Sequence, residues 1–246
     1  GIGHTRWATH GRPTERNAHP HMDCRRRFAL VHNGIIENHA ELARDLRRRG
    51  HRFRSETDTE TIVHLLEEAP SSDPASALRW TMRRLEGSFA LELLPAPGGD
   101  GEGAPRVLAA RRGSPLVLGE GRGEWFAASD IPALLPFTRR VIHLEEEEIA
   151  DMTPGRLRVL RRGRPRRVRA EGSSLTRATA ERAGHRHFMH KEIHEQPEVV
   201  AAALQGRLDA AAGRVRFEPG AAPRSRTRPE TLRRAVVVGC GTAWHA

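Results

Sequence analysis

The stretch His4-Thr5-Arg6-Trp7-Ala8-Thr9-His10-Gly11 crowds two imidazoles, a guanidinium, an indole and two hydroxyls into a single short segment. Such a density of donors makes poor core material, because each buried polar group needs a partner. It suits a small zwitterion better. Arg6 can take a carboxylate through two N–H groups, and His4, Thr5, Thr9 and His10 offer shorter-range hydrogen bonds. On composition alone, a polar loop whose residues satisfy one another is the better account.

Two further blocks extend outward from it: Asn17-Ala18-His19-Pro20-His21, then Val31-His32-Asn33-Gly34-Ile35-Ile36-Glu37-Asn38. The apolar run Phe28 to His32, with β-branched Val31, reads as a strand. It is expected to stop at Asn33-Gly34, a dipeptide suited to positive φ and, taken alone, a simple hairpin turn. Glu37 to Arg49 reads as an amphipathic helix closed by Gly50. In Ser55-Glu56-Thr57-Asp58-Thr59-Glu60, Thr57 and Glu60 have capping-box spacing before an apolar run, which puts Asp58 in the first turn of a helix.

Three ordered blocks are far more specific than one motif. Together they resemble the glutamine amidotransferases of the N-terminal-nucleophile type, and most of all the isomerising glutamine–fructose-6-phosphate aminotransferases. The resemblance implies roles. Arg6 and Asp58 would clamp the carboxylate and ammonium of glutamine, with Thr9 and His10 assisting. The Asn33 side chain and the Gly34 amide would form an oxyanion hole, and Trp7 would gate the passage between two sites. It also implies a nucleophilic N-terminal cysteine whose own amine is the base. The sequence opens on Gly1, and Cys24 has neither that amine nor that context. The expectation is therefore an incomplete chain, catalytically silent by itself. A non-catalytic glutamine- or sugar-phosphate-binding regulator and another amidotransferase of this type are the alternatives.

Composition narrows the remaining classes. A net charge of +10 invites a nucleic-acid reading. The charge is almost all arginine, Lys191 being the only lysine, and it is scattered along a chain with 4% aromatics. Base stacking has little to work with, and nucleic-acid binding is not expected. No apolar run approaches a membrane span and no signal-peptide pattern opens the chain. Cys24 and Cys240 are too few for a disulfide framework and fit a reducing cytoplasm.

Helix Ala75 to Leu85 and strands at Ser88–Leu94, Arg106–Ala110, Pro115–Leu118, Glu124–Ala128, Arg140–Leu144 and Arg156–Leu160 follow. Pro95 to Pro105 reads as a surface loop and the acidic run Glu145 to Glu148 as a solvated turn. From Arg161 the periodicity gives way to Arg, Gly and Ser. The expected division is a glutaminase domain over 1–160, a linker or hinge over 161–195, and a second domain from 196 to 246. His185, His187, His190 and His194 suggest zinc, but the glutamate is misplaced for a zinc-protease helix, and neither metal nor cofactor is expected. A helix is expected from Pro197 to about Gln205. Val236-Val237-Val238-Gly239-Cys240-Gly241-Thr242 reads as a strand entering a phosphate-cradling turn. That turn resembles the first strand of a sugar-isomerase (SIS) domain, with Thr242 on the sugar phosphate and Ala243 where a serine is usual. The fold class implied is an α+β αββα glutaminase domain, incomplete, followed by the first part of an α/β sugar-isomerase domain. The implied partners are glutamine, fructose 6-phosphate and a second copy of the chain.

Overall fold

The strand Phe28–Ile36 (β2) anchors the architecture. In the computed structural model, which describes residues 1–6, 10–96, 105–173, 175, 182–209 and 213–215, β2 runs straight through Asn33 and Gly34. It pairs antiparallel with Gly87–Pro95 (β3), placing Asn33 opposite Ala90 and Gly34 opposite Phe89. The expected turn at this dipeptide is thus corrected. Gly34 does use positive φ, at 138°, but within a strand, where a Cβ would lie 2.1 Å from the Ser88 carbonyl oxygen. The glycine permits close backbone approach instead of reversal.

Around this pair a seven-stranded sheet forms in the order β1-β2-β3-β4-β8-β9-β10. Its other strands are His21–Met22 (β1), Val107–Arg112 (β4), Glu148–Thr153 (β8), Arg156–Arg161 (β9) and Arg164–Arg166 (β10). A four-stranded sheet, in the order β11-β7-β5-β6, comprises Val117–Glu120 (β5), Trp125–Ala128 (β6), Arg140–His143 (β7) and Glu171–Gly172 (β11).

The alternation of side chains builds the layers. Phe89, Leu91, Leu93, Leu108 and Ala110 pack with the helices His39–Arg48 (α1), Thr59–Glu67 (α2) and Pro74–Met82 (α3). Their neighbours Ala90 and Ala109 instead meet Leu118, Ile142 and Leu144 of the smaller sheet's strands and their flanks. Val117 and Val141 point the other way, toward Leu134 and Ile131 at a 3₁₀ turn, Ile131–Ala133. Among the described residues the layers are helices, sheet and sheet, with that turn on the outermost face. Eight of the nine residues of α2 are buried, so its position is held on all sides.

Three boundaries differ from expectation for physical reasons. Glu148 is fully buried and begins β8, its carboxylate receiving Arg166 Nη2 at 3.0 Å. An acidic run therefore hid a core strand. β10 and β11 extend both sheets past residue 161, and the compact unit runs from Gly1 to Ala183. The second unit begins at Gly184. Its helix α4, Phe188–Leu204, starts well before the expected Pro197 and carries that proline inside. The helix is followed by a small hairpin of Leu208–Asp209 (β12) and Arg214–Val215 (β13). The expected loop at 97–104 and the strand with Thr242 lie outside the described residues.

Candidate glutamine site

α2 starts where β2 ends, and the start of the helix is unusual. Asp58 occupies the N-cap position, one residue before the first helical residue, yet its carboxylate does not cap its own helix. It accepts instead from the Ile36 amide at 2.9 Å. The expected capping box is also rearranged. Glu60 turns back and accepts from Arg54 N and Ser55 N, both at 2.6 Å, and from Ser55 Oγ at 2.7 Å. Burial pushes the Glu60 carboxyl up, but the nearby His64 imidazole and hydrogen bonds from Arg54 N and Ser55 outweigh it and hold the pKa at about 2. Thr57 joins Ser55 Oγ at 2.9 Å and His21 Nε2 at 3.0 Å. A permanently ionised Glu60 thus orders the loop before α2, releasing Asp58 for another task.

That task faces a cavity of about 320 Å³, lined by His4, Arg6, His10, His19, His32, Asn33, Gly34, Ile35, Thr57, Asp58 and Thr59. Five residues singled out from the sequence therefore meet in one place: Arg6, His10, Asn33, Gly34 and Asp58. Thr9 and Trp7 lie outside the described residues. Asn33 is exposed and Gly34 half-buried on the strand wall. Both are fixed by the β2–β3 ladder, a stiffer support than the turn expected for them.

Arg6 carries a structural duty as well. Its backbone is in the left-handed region at φ 58°, uncommon for a non-glycine residue. Its guanidinium donates to the carbonyls of Arg12 and Gly11, each at 3.1 Å, and to that of His10. Among the described residues three of its five N–H groups find partners, leaving two for a ligand. Buried Asn17 completes the frame, donating to Arg12 O at 3.0 Å and accepting from Glu56 N at 2.9 Å.

The cavity's histidines were not assigned from the sequence, apart from His4 and His10. Burial, reinforced by neighbouring His21, His4 and His32 and by Arg6, lowers His19 to about 3. Burial lowers His32 to about 4 despite Asp58, whose Oδ2 lies 4.0 Å from His32 Nδ1. His4 and His21 are lowered too, chiefly by burial. His32 Nδ1 is tied to Thr59 Oγ1 at 3.0 Å, and His4 and His19 stack at 4.7 Å. His4, His19 and His32 line the cavity with neutral, polarisable surface near neutral pH. Apart from imidazoles, Arg6 and Asp58 are the ionisable groups on the described wall, one of each sign. The only signal for His19 and His32 in the sequence was their presence in the quoted blocks. Cys24, the one cysteine among the described residues, does not line this cavity.

The layered fold and this charge-paired cavity define a class. The family model described as a glutamine amidotransferase domain matches residues 4–136, more than half of the chain, and the chain belongs to that family. Over its whole length the chain is 49% identical to the glutamine–fructose-6-phosphate aminotransferase [isomerizing] of Symbiobacterium thermophilum and 42% identical to that of Aquifex aeolicus, covering 39% of each. The chain thus spans about two-fifths of the length of these curated relatives. Among solved structures it resembles the glutamine phosphoribosylpyrophosphate amidotransferase of B. subtilis at a TM-score of 0.53 and 22% identity. That match covers 64% of this chain and 34% of the other. A second likeness, to an allosteric regulatory enzyme of purine biosynthesis, has a TM-score of 0.51 at 20% identity, over 59% of this chain and 31% of that one. These likenesses show the fold alone. They do not bear on the sugar-isomerase part expected from 196 onward.

Proposed function

We propose that this chain forms the glutamine-holding part of an enzyme that converts fructose 6-phosphate and glutamine to glucosamine 6-phosphate and glutamate. The observation that carries the reading is the single cavity in which Arg6 and Asp58 supply opposite charges beside Asn33 and Gly34. The names of the relatives support the sugar-phosphate acceptor. Free Arg6 N–H groups receive the α-carboxylate of glutamine, and Asp58 receives its ammonium. His10 and Thr9 border the bound amino acid, and Trp7 screens the route by which ammonia leaves. Neutral His19 and His32 keep the ammonium from meeting like charge.

When a cysteine thiolate attacks the side-chain amide, negative charge moves onto the amide oxygen. The Asn33 side chain and the Gly34 N–H stabilise it, and their worth comes from being fixed before the charge develops. The strand register fixes the backbone of both residues. In the complete protein, Thr242 contacts the phosphate of the sugar, residues from 196 onward open the isomerase domain, and two copies associate in the cytoplasm.

Asp58→Asn tests the clamp, since asparagine still accepts from Ile36 N while losing its charge. In the complete protein, the expected result is a roughly 10- to 100-fold rise in the glutamine KM, the scale of a lost charged hydrogen bond, with ammonia-dependent synthesis nearly unchanged. Equal losses in both reactions would count against the assignment.

A further inference from the structure

A second polar cluster lies apart from the residues that line the glutamine cavity. Cys24 sits in the turn between β1 and β2, His51 follows the end of α1, and His64 and Glu67 share one face of α2. Cys24 Sγ is 3.7 Å from His64 Nδ1 and 3.9 Å from His51 Nδ1. Glu67 Oε2 is 3.2 Å from His51 Nδ1 and 3.8 Å from His64 Nδ1. All four donor atoms lie within 4.8 Å of one another. Zinc bonds to sulfur, nitrogen and oxygen in a tetrahedron imply ligand–ligand separations of roughly 3.3–3.6 Å. The cluster needs to contract by only a few tenths of an ångström at most of its contacts.

With His51 neutral, its hydrogen bonds are hard to satisfy from within. His51 Nε2 lies 2.8 Å from Glu68 Oε1. If Nε2 carries the proton of the neutral ring, Nδ1 presents a lone pair to Glu67 Oε2, so two acceptors face each other. His64 is 1% exposed, and its Nε2, 3.6 Å from Glu60 Oε1, has no hydrogen-bond partner among the described residues. A divalent cation among the two Nδ1 atoms, the sulfur and Glu67 Oε2 removes the first conflict. It also strengthens the pull of Glu60 on His64 Nε2–H. Carboxylates behind both imidazoles are the usual outer support of metal-bound histidines. The Arg52 amide donates to Cys24 Sγ at 3.5 Å, which orients the sulfur. Glu67 also accepts from Cys24 N at 3.2 Å and pairs with Arg25 through Oε1, so its chain is already oriented.

We propose that Cys24, His51, His64 and Glu67 form a structural site for a zinc-class transition metal, which pins the β1–β2 turn and the exit of α1 to α2. Four protein ligands, three of them with side chains at most 7% exposed, leave no position for a substrate, the arrangement of a closed structural site. Because α2 carries Asp58 at its other end, the metal would steady the helix that holds the glutamine clamp. The proposal does not depend on the functional reading above.

The test is titration of the purified, chelator-stripped protein with Co²⁺ and then Zn²⁺. The expected result is one tetrahedral cobalt spectrum per chain with a thiolate-to-cobalt charge-transfer band, displaced by zinc. That band should vanish in Cys24→Ser and persist in Cys240→Ser. His64→Gln, which removes a ligand, should weaken binding by more than the roughly 10- to 100-fold that losing an outer partner costs. Zinc should raise Tm by roughly 5–10 °C at a hundredfold excess over Kd, and this shift should be lost in Cys24→Ser. A second cluster, His185, His190 and His194, is separated by His190→Ala, which should leave the band intact. A charge-transfer band that survives Cys24→Ser, no band at all, or binding abolished by His190→Ala alone would overturn the proposal.

Discussion

The two ends of α2 handle histidine in opposite ways. At its N-terminal end, His32 and His19 stand in a cavity where burial outweighs the nearest carboxylate, and both rings stay neutral. Toward its C-terminal end, His64 and His51 are each bracketed by carboxylates, Glu60 and Glu67 for one, Glu67 and Glu68 for the other. The same side chain is a neutral wall in the first place and an oriented donor in the second. What differs is carboxylate placement. A neutral wall suits a ligand that brings both of its own charges, whereas bracketed imidazoles suit a ligand that brings only positive charge. The supports differ as well. The cavity is held by backbone, the β2–β3 ladder and the Arg6 carbonyl contacts, while the cluster is held by side chains from three segments.

The most damaging way to break the comparison is to attack the backbone wall. Gly34→Ala puts a methyl 2.1 Å from the Ser88 carbonyl oxygen at a φ of 138°. The expected loss is about 4 kcal/mol, the sum of left-handed strain and a clash with backbone that cannot yield. Chemical denaturation measures it, and a loss below 1 kcal/mol would mean that the ladder is not rigid there.

Acid sharpens the contrast. The folded pKa values of His19 and His32, about 3 and 4, lie below their ordinary value of 6.5. The unfolded chain therefore binds more protons below pH 6.5. The stability they contribute is complete above that pH and falls as pH drops toward 4, at about 1.4 kcal/mol per pH unit for each ring fully engaged. Glu92 acts in the other direction. Burial raises it to about 7 from 4.5, so its contribution is complete below pH 4.5 and lost as pH rises to 7. Thermal melts from pH 6.5 to 4.5 should show net destabilisation, steeper in Glu92→Gln, where the opposing term is gone. A flat profile in both proteins would contradict neutral cavity rings.

The smallest effect belongs to the cluster without metal. Cys24 is exposed, and Cys24→Ser in chelator should change stability by less than about 0.5 kcal/mol. A large metal-free loss would make the thiol a packing residue instead.

Much of this was legible in the chain because it was local. The three motif blocks converge on the cavity, and the alternating runs of β3 to β7 appear as strands near their expected places. The failures came where tertiary partners overrode local signals. Asn33-Gly34 carries the dipeptide of a turn, but pairing with Ala90 and Phe89 keeps it in the strand. Thr57 and Glu60 have capping-box spacing, but Glu60 is recruited by Arg54 and Ser55, and Asp58 by Ile36. Glu148 reads as part of a solvated run until Arg166 neutralises it in the core. Pro197 looks like a helix start, though α4 carries it inside. The Cys24 cluster had no sequence signature, since its ligands come from positions 24, 51, 64 and 67 and only two share an element.

The charge-paired cavity is the centre of the proposed function. Calorimetric titration of glutamine into the purified protein and into Asp58→Asn tests it directly. Saturable one-to-one binding, weakened roughly 10- to 100-fold in the variant, is the predicted result. Equal affinity in the two proteins, or no binding to either, would contradict it.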